Sequence, residues 1–140
     1  MSRSILFACS LIALTGASGP SIADSSEALP QVEVTSVDPA ALGDSGLTVV
    51  LIDITDQRCP AGVECYWEGM IRVELRVETP GAPAQTVVLC NLCDDATRDA
   101  KVGEVTLTLM GLAPTTEALA GLGRAATLSD YTVSLAYLAL

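Results

Sequence analysis

One segment of the sequence alternates strictly between apolar and charged residues, and this pattern restricts the fold more than any other feature. The segment runs from Gly69 to Glu78 (GMIRVELRVE), and its charged positions alternate in sign. Successive side chains of a β-strand point to opposite faces of a sheet, so the pattern predicts a strand with one buried and one solvated face. Opposite charges at neighbouring outward positions are typical of a solvated face, not of a binding stripe.

Five more stretches, separated by turn residues, predict strands; most of them alternate in a similar way, and 47–55 is a nearly continuous β-branched and apolar run. They are 31–37, 47–55, 85–91, 102–112 and 131–140. A Pro/Gly turn (TPGAPA) before 85–91 predicts a hairpin. Residues 94–101 are expected to form one helical turn and 116–122 a short helix. With no internal repeat or domain boundary, the chain is predicted to be all-β, a single antiparallel β-sandwich or flattened barrel of about six to eight strands with one or two short helical turns.

The first residues predict export. A basic residue, Arg3, precedes a ten-residue apolar run (ILFACSLIAL), and the small residues around Ile22 suit a signal peptidase. The order predicts a secretory signal peptide at 1–23, because the run is shorter than the about 20 apolar residues that span a bilayer. Residues 24–30 are predicted to be a flexible leader and residues 31–140 the β-sandwich domain. No transmembrane segment is expected after signal cleavage.

Charge and composition exclude several classes of function. Of the seven basic residues only Arg3 lies within residues 1–23, whereas all 17 acidic residues come after Ala23. Nucleic acid is therefore not expected as a partner, because phosphate binding needs a basic surface. The chain has no histidine, which removes Ser-His-Asp and Cys-His catalysis, His-ligated zinc and c-type haem. No cofactor, metal site or catalytic residue is predicted.

Four cysteines remain after signal cleavage: Cys59, Cys65, Cys90 and Cys93. In an oxidising compartment they are expected to form two disulfides, whose pairing the spacing leaves open. A four-cysteine zinc site usually has two close knuckles, whereas five residues separate Cys59 from Cys65. Cys90 and Cys93 also suggest an alternative, thiol–disulfide exchange, although this pair follows a strand and precedes two aspartates that disfavour a thiolate.

The stretch DQRCPAGVECYWEG, from Asp56 to Gly69, contains the only tryptophan of the chain. Its distinctive residues are interpreted as structural rather than functional: Asp56, Arg58, Pro60, Trp67 and Gly69. Trp67, close to Cys65, is expected to pack into the core; the alternative is a surface aromatic that docks a ligand. Arg58 is expected to pair with Asp56 or Glu64 or to bond carbonyls of its loop, rather than to bind a substrate.

Two acidic clusters, Asp53/Asp56 and Asp94/Asp95/Asp99, carry the oxygen ligands that calcium accepts. Neither has the D-x-[DN]-x-[DN]-G spacing of a calcium loop, so calcium binding is not predicted. Asp53 and Asp56 also raise the hypothesis of a hydrolase with paired carboxylates. That hypothesis fails if the two side chains diverge.

The motif D-x-R-C-P-x-x-V-x-C-x-W-x-G resembles one in a group of small bacterial secreted proteins and lipoproteins of unknown function. The matching residues are Asp56, Arg58, Cys59, Pro60, Val63, Cys65, Trp67 and Gly69. A weaker strand pattern extends the match over most of the mature chain, although Glu68 stands where the group usually has a small residue. The resemblance implies that Cys59 pairs with Cys65, leaving Cys90 to Cys93, and it implies no activity.

These features predict an exported bacterial β-domain, periplasmic or secreted, that is not an enzyme. Its expected role is that of a binding or envelope-associated structural module, with a protein, a glycan or an envelope component as its partner. The alternative is a periplasmic thiol–disulfide or metal-binding protein that uses Cys90 and Cys93.

Overall fold

The computed structural model describes residues 28–140, whose alternating segments form eight strands. The strands are β1 (Gln31–Val34), β2 (Ala40–Ala41), β3 (Thr48–Arg58), β4 (Gly69–Glu78), β5 (Gln85–Cys90), β6 (Asp99–Val102), β7 (Val105–Ala113) and β8 (Thr132–Ala139). One α-helix, α1 (Thr116–Ala120), and two 3-10 turns, Gly43–Ser45 and Leu128–Asp130, accompany them. The predicted signal peptide and residues 24–27 of the leader lie outside the described residues. None of the helices within 28–140 has the length and apolar character needed to cross a membrane.

The strands form two antiparallel sheets of four strands each. Sheet 1 has the order β1-β8-β7-β6, and sheet 2 has the order β2-β3-β4-β5. Single backbone hydrogen bonds tie the sheets at both sides: Leu51 N donates to Thr35 O beyond β1, and Cys90 N donates to Thr97 O before β6, both at 2.9 Å. The two ladders remain separate sheets. The prediction of an all-β antiparallel fold is therefore confirmed, as a sandwich rather than a barrel.

The two sheets bury their apolar faces against each other. The inward residues of β4, β7 and β8 agree with the predicted alternation, and those that are fully or almost fully buried are Val73, Leu75, Val77, Val105, Leu107, Leu109, Val133 and Leu135. Burial of one such Val or Leu side chain contributes about 1.5–3 kcal/mol. Within residues 28–140 no polar or charged residue is buried. In this part of the chain the polar and charged side chains are therefore exposed or only partly buried.

Two local predictions are wrong. Residues 102–112 were expected to form one strand, but Gly103 and Glu104 turn the chain so that β6 pairs with β7 as a hairpin. Residues 94–101 were expected to form a helical turn, but they bend and then enter β6. At 102–112 the two-residue turn is favoured by Gly103, which has φ +60°, whereas at 94–101 strand pairing outweighs the weak local preference of the polar residues.

Two β-bulges reverse the direction of side chains near one end of the sandwich. The register shifts between Leu51 and Asp53 in β3, and between Leu109 and Gly111 in β7. A bulge adds one unpaired residue to a strand, so the residues beyond it change faces relative to a strict alternation. In β3 the residues Asp56 and Arg58 pair with Ile71 and Gly69 of β4 in the same sheet, and the shift turns their side chains toward the other sheet.

Three connecting segments gather at the end to which these bulges lead, which we call the loop end. They are 59–68 between β3 and β4, 91–98 between β5 and β6, and 114–131 between β7 and β8. The strands β3, β5 and β7 end there, and β4, β6 and β8 begin there, so all three connections lie at this end. Connecting loops at the end of a rigid sandwich are a common position for binding residues.

Candidate functional site

The segment 59–68 forms a loop closed by the Cys59–Cys65 disulfide, and we call it the projecting loop. The two Cα atoms are 5.8 Å apart. Within the ring, Val63 N donates to Pro60 O at 3.3 Å, and Gly62, with φ +75°, occupies the third position of this turn. Glycine is favoured there because other residues rarely adopt a positive φ. Pro60 therefore begins the turn that lets the disulfide close.

The base of the projecting loop needs a glycine. Gly69 is buried opposite Arg58 and has φ +85°. A Cβ atom at this position would lie 2.6 Å from Arg58 Cα, which is closer than real Cβ contacts. The absence of a side chain at Gly69 thus lets β3 and β4 come together where the loop leaves the sheet.

Arg58 joins the two sheets beneath the projecting loop. Its Nε and Nη2 donate to the two carboxylate oxygens of Asp56, each at 2.8 Å. Its Nη1 donates to Leu112 O and its Nη2 to Pro114 O, each at 2.9 Å, and both carbonyls belong to the end of sheet 1. The side chains of Arg58 and Asp56 are only 16% and 10% exposed. The pairing with Asp56 agrees with the prediction, whereas the carbonyl acceptors lie across the sandwich and not in the loop of Arg58 itself.

The electrostatics of this cluster hold its groups in their ordinary ionisation states. Burial opposes ionisation of Asp56, but the hydrogen bonds and charge of Arg58 outweigh it and place the pKa of Asp56 below its usual value. Burial and the Asp56 charge raise the pKa of Tyr131. At neutral pH the carboxylate is therefore ionised and the phenol protonated. Both shifts move the pKa of the group away from neutral pH.

A cleft of about 350 Å³ opens between the projecting loop and α1. Its polar lining comes from Asp56, Arg58, Thr116 and Tyr131, and apolar side chains such as Leu119 and Ala126 complete it. Four of the five guanidinium N–H groups of Arg58 already have acceptors. Arg58 thus lines a cleft, but its hydrogen bonds are used to brace the sandwich.

The prediction that Trp67 packs into the core is wrong. Its side chain is 73% exposed, and that of Tyr66 is 98% exposed. The two rings form an edge-to-face pair with centroids 6.4 Å apart. Trp67 lies beyond the last residue pair of β3 and β4, so it is outside the sheet, and aliphatic residues of the strands already fill the core. Trp67 is instead a surface aromatic residue, as in the alternative interpretation.

The rest of the projecting loop is equally open to solvent. Every residue from 62 to 68 is exposed, including Val63 and the two carboxylates of Glu64 and Glu68. Neither carboxylate forms an ion pair with any residue of 28–140. The loop therefore presents two aromatic rings and two uncompensated negative charges on a covalently closed base.

The second disulfide closes a different kind of loop. Cys90 and Cys93, with Cα atoms 5.7 Å apart, bound a segment that we call the docked loop, residues 90–93. The Asn91 side chain accepts from Ile71 N at 2.7 Å and donates to Gly69 O at 3.2 Å. Asn91 N donates to Ile71 O at 3.2 Å, so the loop extends the hydrogen bonding of β4. Both disulfides follow the pairing that the resemblance implies, and they indicate a non-reducing environment.

The docked loop lacks the features that make a cysteine pair reactive. Cys90 is 1% exposed and ends a strand, and bends rather than a helix follow Cys93. A reactive C-x-x-C thiol is accessible and usually lies at the start of a helix, which lowers its pKa. The surroundings of Cys90 and Cys93 are therefore those of a structural disulfide.

The paired-carboxylate hypothesis is wrong. The bulge in β3 places Asp53 opposite Glu74 on the solvated face, whereas Asp56 points inward and is bound by Arg58. The other acidic cluster is also divided, because Asp95 binds Arg72 and Asp99 accepts from the Thr108 hydroxyl. Residues 28–140 contain no group of three or more side chains placed to hold a metal ion.

Two parts of the loop end were not anticipated from the sequence. Tyr131 packs against the edge of the core and also lines the cleft beside Asp56, and α1 forms the opposite wall. No local signal connects these residues, because they meet only when the two sheets pack. The exposure of Tyr66 could have been predicted from the sequence. Tyr66 lies between Cys65, which closes the turn, and Gly69, where the alternating pattern of the next strand begins.

No protein-family model, curated protein or solved structure matches this chain. The resemblance to small secreted bacterial proteins therefore stays a prediction. The functional assignment is based on the geometry of the loop end.

Proposed function

We propose that this protein is an exported, non-enzymatic binding module of the bacterial cell envelope and that it contacts its partner through the projecting loop. Export is supported by the signal-like sequence of 1–23 and by the two disulfides, which are typical of proteins outside the cytoplasm. The partner is a protein, a glycan or another envelope component.

The observation that carries this proposal is the exposed pair Tyr66 and Trp67 on a disulfide-closed loop. Trp and Tyr are enriched among the residues that dominate binding energy, and large apolar side chains left in water favour contact with a partner. Because the disulfide restrains the loop before binding, less conformational entropy is lost when the rings are covered. A tryptophan needed only for stability would be buried.

The ionisable groups next to the loop support a role in binding rather than catalysis. Asp56 and Arg58 form an ion pair, and the pairing lowers the pKa of the Asp56 carboxyl, so this carboxylate is not a free proton acceptor. The cleft beside them is an open recess with both polar and apolar walls. It enlarges the surface that a partner would cover at the loop end.

The test is site-specific photo-crosslinking of the exported protein in its native envelope. A photoreactive phenylalanine analogue at Tyr66 is compared with the same residue at Leu140, which is exposed beyond the last strand. We expect one defined product from position 66, lost in the Trp67→Ala variant, and none from position 140. Equal products from both positions, or products that persist without Trp67, would contradict a binding role for the loop.

A further inference from the structure

We infer that the projecting loop binds a basic segment of a partner protein, with an Arg or Lys side chain on the face of Trp67 and the carboxylates of Glu64 and Glu68 beside it. This inference rests on the proposed function and specifies the chemistry of the partner. It is based on the charge and exposure of the loop.

The charge of the loop is uniformly negative. Glu64 and Glu68 are its only carboxylates, it has no basic residue, and neither carboxylate is paired within the described part of the chain. Asp94, in the neighbouring segment 91–98, is exposed and also has no ion-pair partner there. A partner that covers this surface would bury or approach several carboxylates, and a cationic partner compensates them.

The aromatic pair adds a second attraction for cations. The face of an indole ring is electronegative and binds guanidinium and ammonium groups, Trp most strongly of the aromatic residues. Trp67 is largely free of intramolecular contacts, since 73% of its surface is exposed. Arg fits best, because its planar group stacks on an aromatic face and also forms paired hydrogen bonds with a carboxylate.

The other partner classes fit this surface less well. A neutral glycan would stack on the rings but would leave Glu64 and Glu68 without an opposite charge. An anionic polymer or lipid surface would be repelled by the loop and by the chain as a whole, whose formal net charge is −10. A basic peptide satisfies both the rings and the carboxylates.

Peptide titration of the exported chain tests the inference. The probes are fluorescently labelled hexa-arginine, a Gly-Ser peptide of equal length, and chitohexaose as the glycan. Labelled-peptide anisotropy measures affinity, and emission of Trp67, the only tryptophan, reports contact with the loop. We expect saturable binding of hexa-arginine alone, with a change in Trp67 emission and weaker affinity at higher salt.

Matched variants separate the loop from the general charge of the protein. Glu64→Gln/Glu68→Gln should weaken hexa-arginine binding about fivefold, since each exposed ion pair contributes modestly. Glu33→Gln/Glu104→Gln removes two exposed charges elsewhere and should leave the affinity within about twofold of the wild type. Trp67→Leu should weaken binding about three- to fivefold, whereas Trp67→Phe, which keeps an aromatic face, should lose less.

Each contrary result has a distinct meaning. Equal weakening by the two charge variants, or equal affinity of Trp67→Leu and wild type, would overturn the inference in favour of general electrostatic attraction. Binding of chitohexaose that survives Glu64→Gln/Glu68→Gln would overturn the basic-peptide class and leave the proposed function intact. Failure of every probe overturns the inference, and the proposed function falls with it only if crosslinking at Tyr66 also yields nothing.

Discussion

The projecting loop and the docked loop lie at the same end of the molecule, and each is closed by one disulfide, yet they relate to the sheets in opposite ways. The docked loop is bonded to β4 through the backbone and side chain of Asn91, and its Cys90 is buried. The projecting loop is fixed only at its base, by Arg58 and Gly69, and every residue from 62 to 68 is exposed. A disulfide therefore does not by itself distinguish a loop that completes a sheet from one that is presented to a partner.

The difference teaches that the bonds around a cysteine pair determine its role. In the docked loop the disulfide reinforces hydrogen bonds that already hold the chain to the sheet edge. In the projecting loop the disulfide replaces such bonds, because only the turn at Pro60 and Val63 is hydrogen-bonded within the ring. The Cys90–Cys93 disulfide thus preserves the fold, and the Cys59–Cys65 disulfide preserves the shape of a surface.

The largest effect is expected at the base of the projecting loop. Arg58→Met should lower the free energy of unfolding by about 3 kcal/mol, because it leaves Asp56 and two carbonyls without their donor in a mostly buried site. Urea denaturation measures the change. Arg76→Met, which breaks an exposed pair with Glu78, is the control and should cost at most about 0.5 kcal/mol. Equal costs would show that Arg58 does not brace the sandwich.

The two disulfides should differ in function more than in stability. The chain-entropy relation predicts how much each disulfide contributes to the free energy of unfolding. Cys59→Ala/Cys65→Ala opens a seven-residue ring and should lower it by about 2.4 kcal/mol, and Cys90→Ala/Cys93→Ala opens a four-residue ring and should lower it by about 1.9 kcal/mol. Only Cys59→Ala/Cys65→Ala should also weaken crosslinking from Tyr66, because only the Cys59–Cys65 ring shapes the exposed loop. A loss of crosslinking in both variants, under conditions where both are folded, would contradict the separation of roles.

The docked loop should depend on a single side chain. Asn91→Ala removes one acceptor and one donor from the backbone of β4, and we expect a loss of about 1.5 kcal/mol in the free energy of unfolding. Faster hydrogen exchange at Ile71 N should accompany it. The neighbouring Leu92→Ala, at an exposed position, is the matched control and should leave both quantities nearly unchanged.

The base of the projecting loop should also be sensitive to acid. The pKa of Asp56 is lower in the folded chain than its ordinary value of 3.8, so its ionised form stabilises the fold above about pH 4, and this contribution is lost as pH falls through the lowered pKa. Urea midpoints between about pH 5 and pH 2 should therefore fall less steeply in Asp56→Asn. Asp130, whose pKa is lowered by Arg124 and then Thr127, accounts for part of the slope that remains. An unchanged slope would show that Asp56 is not stabilised in the fold.

The smallest effect on stability is expected at the tip of the projecting loop. Trp67→Ala should change the free energy of unfolding by less than about 0.5 kcal/mol, because the side chain is mostly in water. Acrylamide quenching of the wild type should likewise approach that of free tryptophan. A loss of several kcal/mol, or a shielded indole, would restore the interpretation of Trp67 as a core residue.

The sequence predicted the parts of the fold that depend on local alternation. β4 and β8 show their apolar faces directly in the order of their residues, and the hairpin of β4 and β5 follows from its Pro/Gly turn. The bulge at Ile52 could not be predicted in this way, because the stretch 47–55 is apolar at most positions and has no clear period. That bulge decides that Asp56 and Arg58 point inward, so their bonds to the other sheet were hidden from the sequence.

The candidate site was predicted only in part for a similar reason. The sequence identified the motif residues from Asp56 to Gly69 but placed Trp67 in the core. Whether a large aromatic is buried depends on whether space remains between the sheets, and that space is filled by Val and Leu from distant strands. The cleft beside Tyr131 likewise forms only after both sheets are assembled.

The edges of the two sheets affect how copies of this protein behave when they are crowded. Among the described strands, the outermost are β1, β2, β5 and β6, and they have only four, two, six and four residues. A long exposed edge strand could pair its free N–H and C=O groups with a second copy of the protein and so promote fibrillar aggregation. Here β1, β2 and β6 are short, and at β5, the longest of the four, Cys90 N already donates to Thr97 O, which limits such templating. Concentrated solutions of the protein should therefore remain free of amyloid-like deposits.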